Sequence, residues 1–403
     1  MPSLQHPKNT GFSLVIILFL SFLGCKGQNA PESPVLLPAA NRTAAYFPML
    51  KDRNFAVVAN QTSVLMRENN TPVHLVDSLT NSGLRPQLVF APEHGFRGQA
   101  DAGEHVADGV DTKTGLQIIS LYGSNRKPKP EQLAGLDLVL FDIQDVGVRF
   151  YTYIATLQLV MEACAEAGIP VVVLDRPNPN ISFVDGPVME EEHQGFLGMT
   201  PIPLVYGMSI GEYAEMINGE GWLAGEKKAS LTVIPVAGYR RSMEYTLPVP
   251  PSPNLPNQQA VLLYPSLGLF EGTRVNAGRG TSAQFQRFGA PFLNGDHFDF
   301  HYTPAPNAGA KNPKHNGEEC IGKDLSSEVP PKAVDLQWII EAYQNREEGS
   351  EFFITSGFTR HAGTTVLQEQ IESGMPWEAI RQSWQPGLEE FRTIRAKYLR
   401  YPD

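Results

Sequence analysis

The feature that most constrains this chain is a series of short, almost unbroken apolar runs at 55–60, 87–91, 117–121, 137–143 and 171–175. Each is too short for a helix and lacks the alternation of a strand with one wet face. Such runs are strands buried on both sides, as in a parallel sheet covered by helices. A helical pattern through Val73, Leu75, Val76 and Leu79, and another over 152–167, fall between them. The order predicts an α/β fold, a Rossmann-like, doubly wound, mostly parallel sheet spanning 46–246.

Ligands of such sheets bind beyond the carboxyl ends of the strands. The polar clusters gather there: Asn60-Gln61-Thr62-Ser63, Pro92-Glu93-His94-Gly95, Asp142-Ile143-Gln144-Asp145 and Asp175-Arg176-Pro177-Asn178-Pro179. Carboxylates, amides and a histidine at four strand ends point to a functional cleft. From about Leu247 the character changes, with Pro248, Pro250, Pro251, Pro253 and Pro256 crowding a junction. The rest, 247–403, carries a Gly-rich stretch around Glu271 to Gly280, a polar loop over 304–323 and closing helices from about Ala333 and Trp377. It reads as a smaller α+β C-terminal domain that closes over the first.

Ahead of the fold, Lys8 and the apolar stretch from Phe12 to Leu23 end in Gly24-Cys25. The stretch is short for a bilayer core of about 30 Å but suits the apolar region of a signal peptide. A small residue before cysteine resembles a bacterial lipobox. The expectation is a signal peptide over 1–25, lipidation at Cys25, a tether over 26–45 and an exported envelope protein facing the periplasm. Cys164 and Cys320 remain, and their spacing does not argue for pairing. With 32 basic against 43 acidic residues, a net charge of -11 argues against a nucleic-acid partner.

Glu93 is the first candidate for chemistry. Proline and glycines hold its turn open past a strand, and a carboxyl beside an apolar group such as Phe96 can act as a general acid. The plainer alternative is a carboxylate held by Arg97. His94 beside it either orients a neighbour, binds a ligand hydroxyl or makes a structural hydrogen bond. Asp142 and Asp145 leave a buried strand with Gln144, Arg149, Tyr151 and Tyr153 close behind. Glycosidases need paired carboxyls flanking the scissile bond, and these acids are candidates for one of them. Arg149 is either a clamp for a ligand carboxylate or an internal partner of Asp142 or Asp145. Glu93, His94, Asp101, Glu104 and His105 lie near one another in sequence without metal-site spacing, so no metal is expected. No Gly-rich phosphate loop is present, and no cofactor is expected. Gly207-Met208-Ser209-Ile210-Gly211 matches a nucleophile elbow, but Ser209 with Glu212 reads better as a helix capping box.

Several segments taken together resemble one family: Glu93-His94-Gly95-Phe96-Arg97-Gly98, the block from Asp142 to Tyr153, Asp175-Arg176-Pro177-Asn178-Pro179, Ser252-Pro253-Asn254-Leu255-Pro256, and Glu271-Gly272-Thr273 with Gly278-Arg279-Gly280-Thr281. They look like the exo-β-N-acetylmuramidases of the NamZ type, over essentially all of the chain after the tether. The resemblance implies a Rossmann-like domain and a smaller C-terminal domain with the active site in the cleft between them. It also implies metal-free release of N-acetylmuramic acid from the non-reducing end of peptidoglycan-derived glycans, with Glu93 as the acid. Glu271 is then the second carboxyl, with Asp142 and Asp145 competing for the role. The substrate's lactyl carboxylate asks for Arg97, Arg149 or Arg279, and its hydroxyls and acetamido group for Asn60, Gln144, Tyr151 and Asn254. Arg274, Asn276 and Val205 depart from the residues usual in similar proteins.

Two other functions fit parts of the pattern. A non-catalytic muropeptide-binding lipoprotein would keep the arginines and amides without needing Glu93. A serine esterase or amidase would act through Ser209.

Overall fold

The computed structural model describes residues 36–69, 71–98 and 108–403. The apolar segment ending at Cys25, the tether as far as residue 35, and Asp101, Glu104 and His105 lie outside the described residues.

Six parallel strands form the main sheet: β1 Phe55–Ala59, β2 Leu88–Ala91, β3 Gln117–Ser120, β4 Leu138–Asp142, β5 Val171–Leu174 and β6 Leu231–Ile234. Their order across the sheet is β3-β2-β1-β4-β5-β6, with a short antiparallel edge, Gly109–Val110, outside β3. The chain therefore starts in the middle, winds outwards through β2 and β3, and returns to the middle at β4. Its direction of winding reverses between β1 and β4, where Ala59 lies opposite Asp142. This is the Rossmann-like order, and the crevice of such a sheet opens at that reversal. Every residue of β1, β4 and β5 is buried, which is why their apolar runs are continuous. The edge strand β6 is different: Leu231 is half-buried and Thr232 exposed, so its sequence carries no continuous apolar signal.

The helix Tyr153–Ala167 covers the sheet between β4 and β5 and ends at Gly168, whose φ of 69° supplies the left-handed cap. The smaller C-terminal part holds a three-stranded antiparallel sheet with Cys320–Asp324 between Arg287–Ala290 and Phe300–Tyr302. Helices Gln337–Gln344, Thr355–Ala362, Val366–Glu372, Trp377–Ser383 and Gln385–Arg395 follow. One apolar core runs from Val58 and Phe141 of the main sheet to Phe358 and Phe391 of these helices. Polar contacts reinforce it: Arg381 pairs with Asp185 at 2.8 Å, Arg400 with Glu215, and Tyr401 donates to Asp175. Cys164 and Cys320 are buried free thiols, pushed up to about 12 by burial.

Candidate active site

Past β2, His94 adopts a φ of 69° and Gly95 one of 78°, and the Gly95 amide closes on the Pro92 carbonyl at 3.0 Å. A non-glycine residue in this left-handed region costs about 1 kcal/mol or more. The turn it allows brings Glu93 over the strand end. There the Thr152 hydroxyl donates to Glu93 Oε2 at 2.8 Å. Thr152 is the N-cap of Tyr153–Ala167, yet its side chain makes no cap bond.

Glu271 comes from the other side. It sits in the tight turn Gly268–Gly272, which follows the helix Gln258–Leu267. A Cβ on Gly272 would lie 2.3 Å from Phe358 Cα, so only glycine lets this turn lie against Thr355–Ala362. The approach sets Glu271 beside His361. Arg279 Nη1 donates to Glu271 Oε2 at 3.0 Å. Lys314 Nζ donates to the carbonyls of Phe270, Glu271 and Val275 at 2.9, 3.2 and 3.2 Å. Burial acts to raise the Glu271 carboxyl, but Lys314, Arg279 and His361 outweigh it and hold the group below its usual range. His361 Nδ1 faces the Gly357 carbonyl at 2.8 Å and must carry the proton, which leaves Nε2 as an acceptor. Burial keeps this imidazole below its ordinary range.

Glu93 and Glu271 line one cleft, together with His94, Tyr151, Thr152, Tyr153, Leu197, Ser252, Asn254, Leu255, Arg279 and His361. Phe150, Tyr264 and Phe285 add an aromatic wall, with ring centroids 5.1 Å apart for Phe150–Tyr264 and 4.8 Å for Tyr264–Phe285. Asn254 presents an amide only 5% exposed, with neither Oδ1 nor Nδ2 hydrogen-bonded among the described residues.

Of the residues singled out from sequence, Glu93, His94, Tyr151, Asn254, Glu271 and Arg279 meet in this cleft. The others do not line it. Asp142 is fully buried and held by Arg176 through two bonds, of 2.6 and 2.8 Å. Asp145 accepts from the Tyr206 hydroxyl and from the Gly147 amide, and burial lifts it to about 6. Gln144 Nε2 bonds the carbonyls of Asp145 and Pro177, both at 2.7 Å. Asn60 Oδ1 accepts from the Thr62 amide and hydroxyl. These strand-end groups are engaged inside the sheet where β1 and β4 part, although Asn60 Nδ2 and Asp145 Oδ1 remain buried without a hydrogen-bond partner among the described residues.

Neither Arg97 nor Arg149 reaches the cleft. Arg97 bridges Asp77 and Asp111 and lies 4.4 Å above the Phe96 ring. Arg149 is 0% exposed and donates to four carbonyls, those of Pro187, Ile202, His361 and Ala362. Fully buried and outside the cleft, with its terminal nitrogens on these carbonyls, Arg149 is neither the carboxylate clamp nor the partner of Asp142 or Asp145 that its sequence position allowed. It ties the main sheet to the helix that carries His361.

Ser209 makes the capping box: its hydroxyl accepts from the Glu212 amide at 3.2 Å and Glu212 accepts from the Ser209 amide at 3.0 Å. The same hydroxyl bonds Asp175 at 2.7 Å, and Ser209 is fully buried, which removes it as an exposed nucleophile. Arg274, Asn276 and Val205 do not line the cleft. Arg274 pairs with Glu351 at the surface, while Asn276 braces the carbonyls of Arg279 and Lys314 from behind.

Thr152, Tyr264, Lys314 and His361 were not among the residues singled out from sequence. Thr152 lies inside the block from Asp142 to Tyr153 and was findable there. Lys314 and His361 have no local pattern that marks them.

A sheet with Rossmann order and a cleft that sets two carboxyls among aromatic rings and one neutral amide fit a protein of the glycosidase class. Comparison with known proteins makes the assignment particular. Residues 55–259 match the N-terminal part, and residues 262–401 the C-terminal part, of the family described as exo-β-N-acetylmuramidase NamZ. The chain belongs to that family. It is 37% identical over 395 residues to the peptidoglycan β-N-acetylmuramidase NamZ of Bacillus subtilis (strain 168), covering 93% of this chain and 94% of the relative. Two crystal structures of DUF1343 family proteins from Bacteroides fragilis share its fold. One has a TM-score of 0.83 at 40% identity, covering 92% of this chain and 99% of that one. The other has a TM-score of 0.77 at 27% identity, covering 91% and 99%.

Proposed function

We propose that this protein is an exo-acting glycoside hydrolase that releases terminal N-acetylmuramic acid from the non-reducing end of peptidoglycan fragments during cell-wall turnover. The observation that carries the reading is the meeting of Glu93 and Glu271 in one cleft, brought there by unrelated parts of the chain. Glu93 is the general acid that protonates the glycosidic oxygen as the bond to C1 breaks. Glu271, kept ionised by Arg279 and Lys314, faces the positive charge that develops on the sugar. The Phe150, Tyr264 and Phe285 rings offer apolar faces to the sugar's C–H groups. Of the three arginines Arg279 alone lines the cleft, and it takes the lactyl carboxylate alongside its bonds to Glu271 and the Gly309 carbonyl.

The apolar stretch up to Leu23 and the Gly24-Cys25 pair support export and lipid anchoring, which would put the cleft where peptidoglycan fragments are generated. Hydrolysis of a chromogenic β-N-acetylmuraminide, with the matching glucosaminide as control, tests the activity. Release from the muraminide alone supports the reading. No release, with tight muropeptide binding retained, would leave a binding lipoprotein.

A further inference from the structure

Asn254 carries an inference about why the enzyme acts only at chain ends, and it rests on the glycosidase reading above. The residue sits at the corner of a turn in which the Leu255 amide bonds the Ser252 carbonyl at 3.1 Å. The turn is pinned from behind. The Pro251 carbonyl accepts from the Tyr151 hydroxyl and from Gln61 Nε2, each at 2.8 Å. On the other side, a Cβ on Gly309 would lie 2.9 Å from Asn254 Oδ1, and Arg279 holds the Gly309 carbonyl at 3.1 Å. The turn is therefore held from both sides, and its amide is 5% exposed and lines the cleft, with both polar atoms unpartnered among the described residues. A buried amide left this way is disfavoured unless something that enters the cleft satisfies it.

The amide offers one acceptor and two donors on one planar edge. A ligand that satisfies it bidentately presents one donor and one acceptor on neighbouring atoms. The 2-acetamido group does not, because its trans N–H and C=O point in opposite directions. The 3,4-edge of a terminal muramic acid does. Its O3 is the lactyl ether, an acceptor only, and its O4 is a free hydroxyl that can donate. C4 also lies across the ring from C1, so a sugar whose C1 faces the carboxyls sends this edge away from them.

We infer that Asn254 reads the O3-ether and 4-hydroxyl pair of the terminal muramic acid, with Nδ2 donating to O3 and Oδ1 accepting from the 4-hydroxyl. An internal residue has a glycosidic oxygen at C4 and no hydrogen to give, so Oδ1 stays unsatisfied in the cleft. Exo action then follows from one hydrogen bond as well as from any steric end-wall. A glucosaminide carries a hydroxyl at C3 in place of the ether. It can still accept from Nδ2 but loses the distinction that an aspartate at this position would invert, since a carboxylate asks for two donors.

The test compares kcat/KM of wild type, Asn254→Ala and Asn254→Asp on three aryl glycosides: the β-N-acetylmuraminide, its 4-deoxy analogue and the β-N-acetylglucosaminide. Wild type should lose about 10- to 100-fold on the 4-deoxy sugar, because the site built for the hydroxyl is left unpaired. Asn254→Ala should bring the ratio of the two muraminides close to unity. Asn254→Asp should keep the 4-deoxy penalty and move preference toward the glucosaminide by about 10-fold or more. If Asn254→Ala keeps the wild-type ratio, or Asn254→Asp leaves the muraminide preference unchanged, the assignment is overturned. A wild type inactive on every glycoside would instead remove the glycosidase reading beneath it.

Discussion

The Thr152 hydroxyl donates to Glu93 Oε2 at 2.8 Å, so the N-cap residue of the helix after β4 holds the carboxyl that leaves β2. If Glu93 is the general acid proposed above, losing that bond leaves its carboxyl less well placed for proton transfer. Thr152→Ala should lower kcat about 10-fold, the worth of one hydrogen bond that strengthens as the Glu93 carboxyl gives up its proton, while Thr152→Ser stays near wild type. Steady-state kinetics on the muraminide check this. Equal losses in both variants would mean that the methyl group, and not the hydroxyl, matters.

Lys314 lies beneath Glu271 and contributes to holding its carboxyl below the usual range against burial. The other charged or titratable groups acting on it are Arg279 and His361, with Tyr264 and Glu93 across the cleft. Lys314→Met should raise Glu271, so that ionisation is lost at a higher pH and the acid limb of the kcat/KM profile moves upward. Activity would fall most on the acid side and recover partly at neutral pH. A drop by the same factor at every pH would assign Lys314 a purely structural role.

Arg149 satisfies four carbonyls from three segments and joins the sheet to the helix that carries His361. Arg149→Met strands those carbonyls and should cost about 3 kcal/mol or more of stability. Chemical denaturation measures it. A loss of muraminide affinity with unchanged stability would return Arg149 to the role of ligand clamp.

Burial lifts Asp145 from 3.8 to about 6 in the folded chain. A carboxyl raised in this way contributes its stability in full below the unfolded value, and that contribution is lost as pH rises through about 6. Asp145→Asn has no such titration. The variant should therefore become more stable relative to wild type as pH rises from 4 to 7, in urea midpoints taken across that interval. A constant difference would mean that Asp145 stays ionised throughout.

Much of the fold was legible because burial on both faces leaves no polar residue inside a strand, as in Phe55–Ala59 and Leu138–Asp142. The strand Leu231–Ile234 was not, since its edge position leaves Thr232 exposed and breaks the run. Within the site, Glu93 was readable from turn chemistry, with proline and glycine holding its turn, whereas Asn254 was reached through the resemblance carried by Ser252-Pro253-Asn254-Leu255-Pro256. Asp142 and Asp145 misled for a physical reason. Strand-end carboxylates at the reversal of winding look available in sequence, yet Arg176 and Tyr206 use them inside the sheet. His361 reaches the cleft, and Lys314 reaches the backbone of Glu271 behind it, only through tertiary packing, the first by the close approach at Gly272.

The central claim is that Glu93 delivers the proton to the leaving group. Its most direct test is the activity of Glu93→Gln on aryl β-N-acetylmuraminides whose phenol leaving groups differ in acidity. A weakly acidic leaving group needs protonation, and its release should fall by about 10²–10⁴-fold. A dinitrophenyl leaving group needs none and should be released within about 10-fold of the wild-type rate. The same large loss on every substrate would contradict the account and make Glu93 a binding or structural residue.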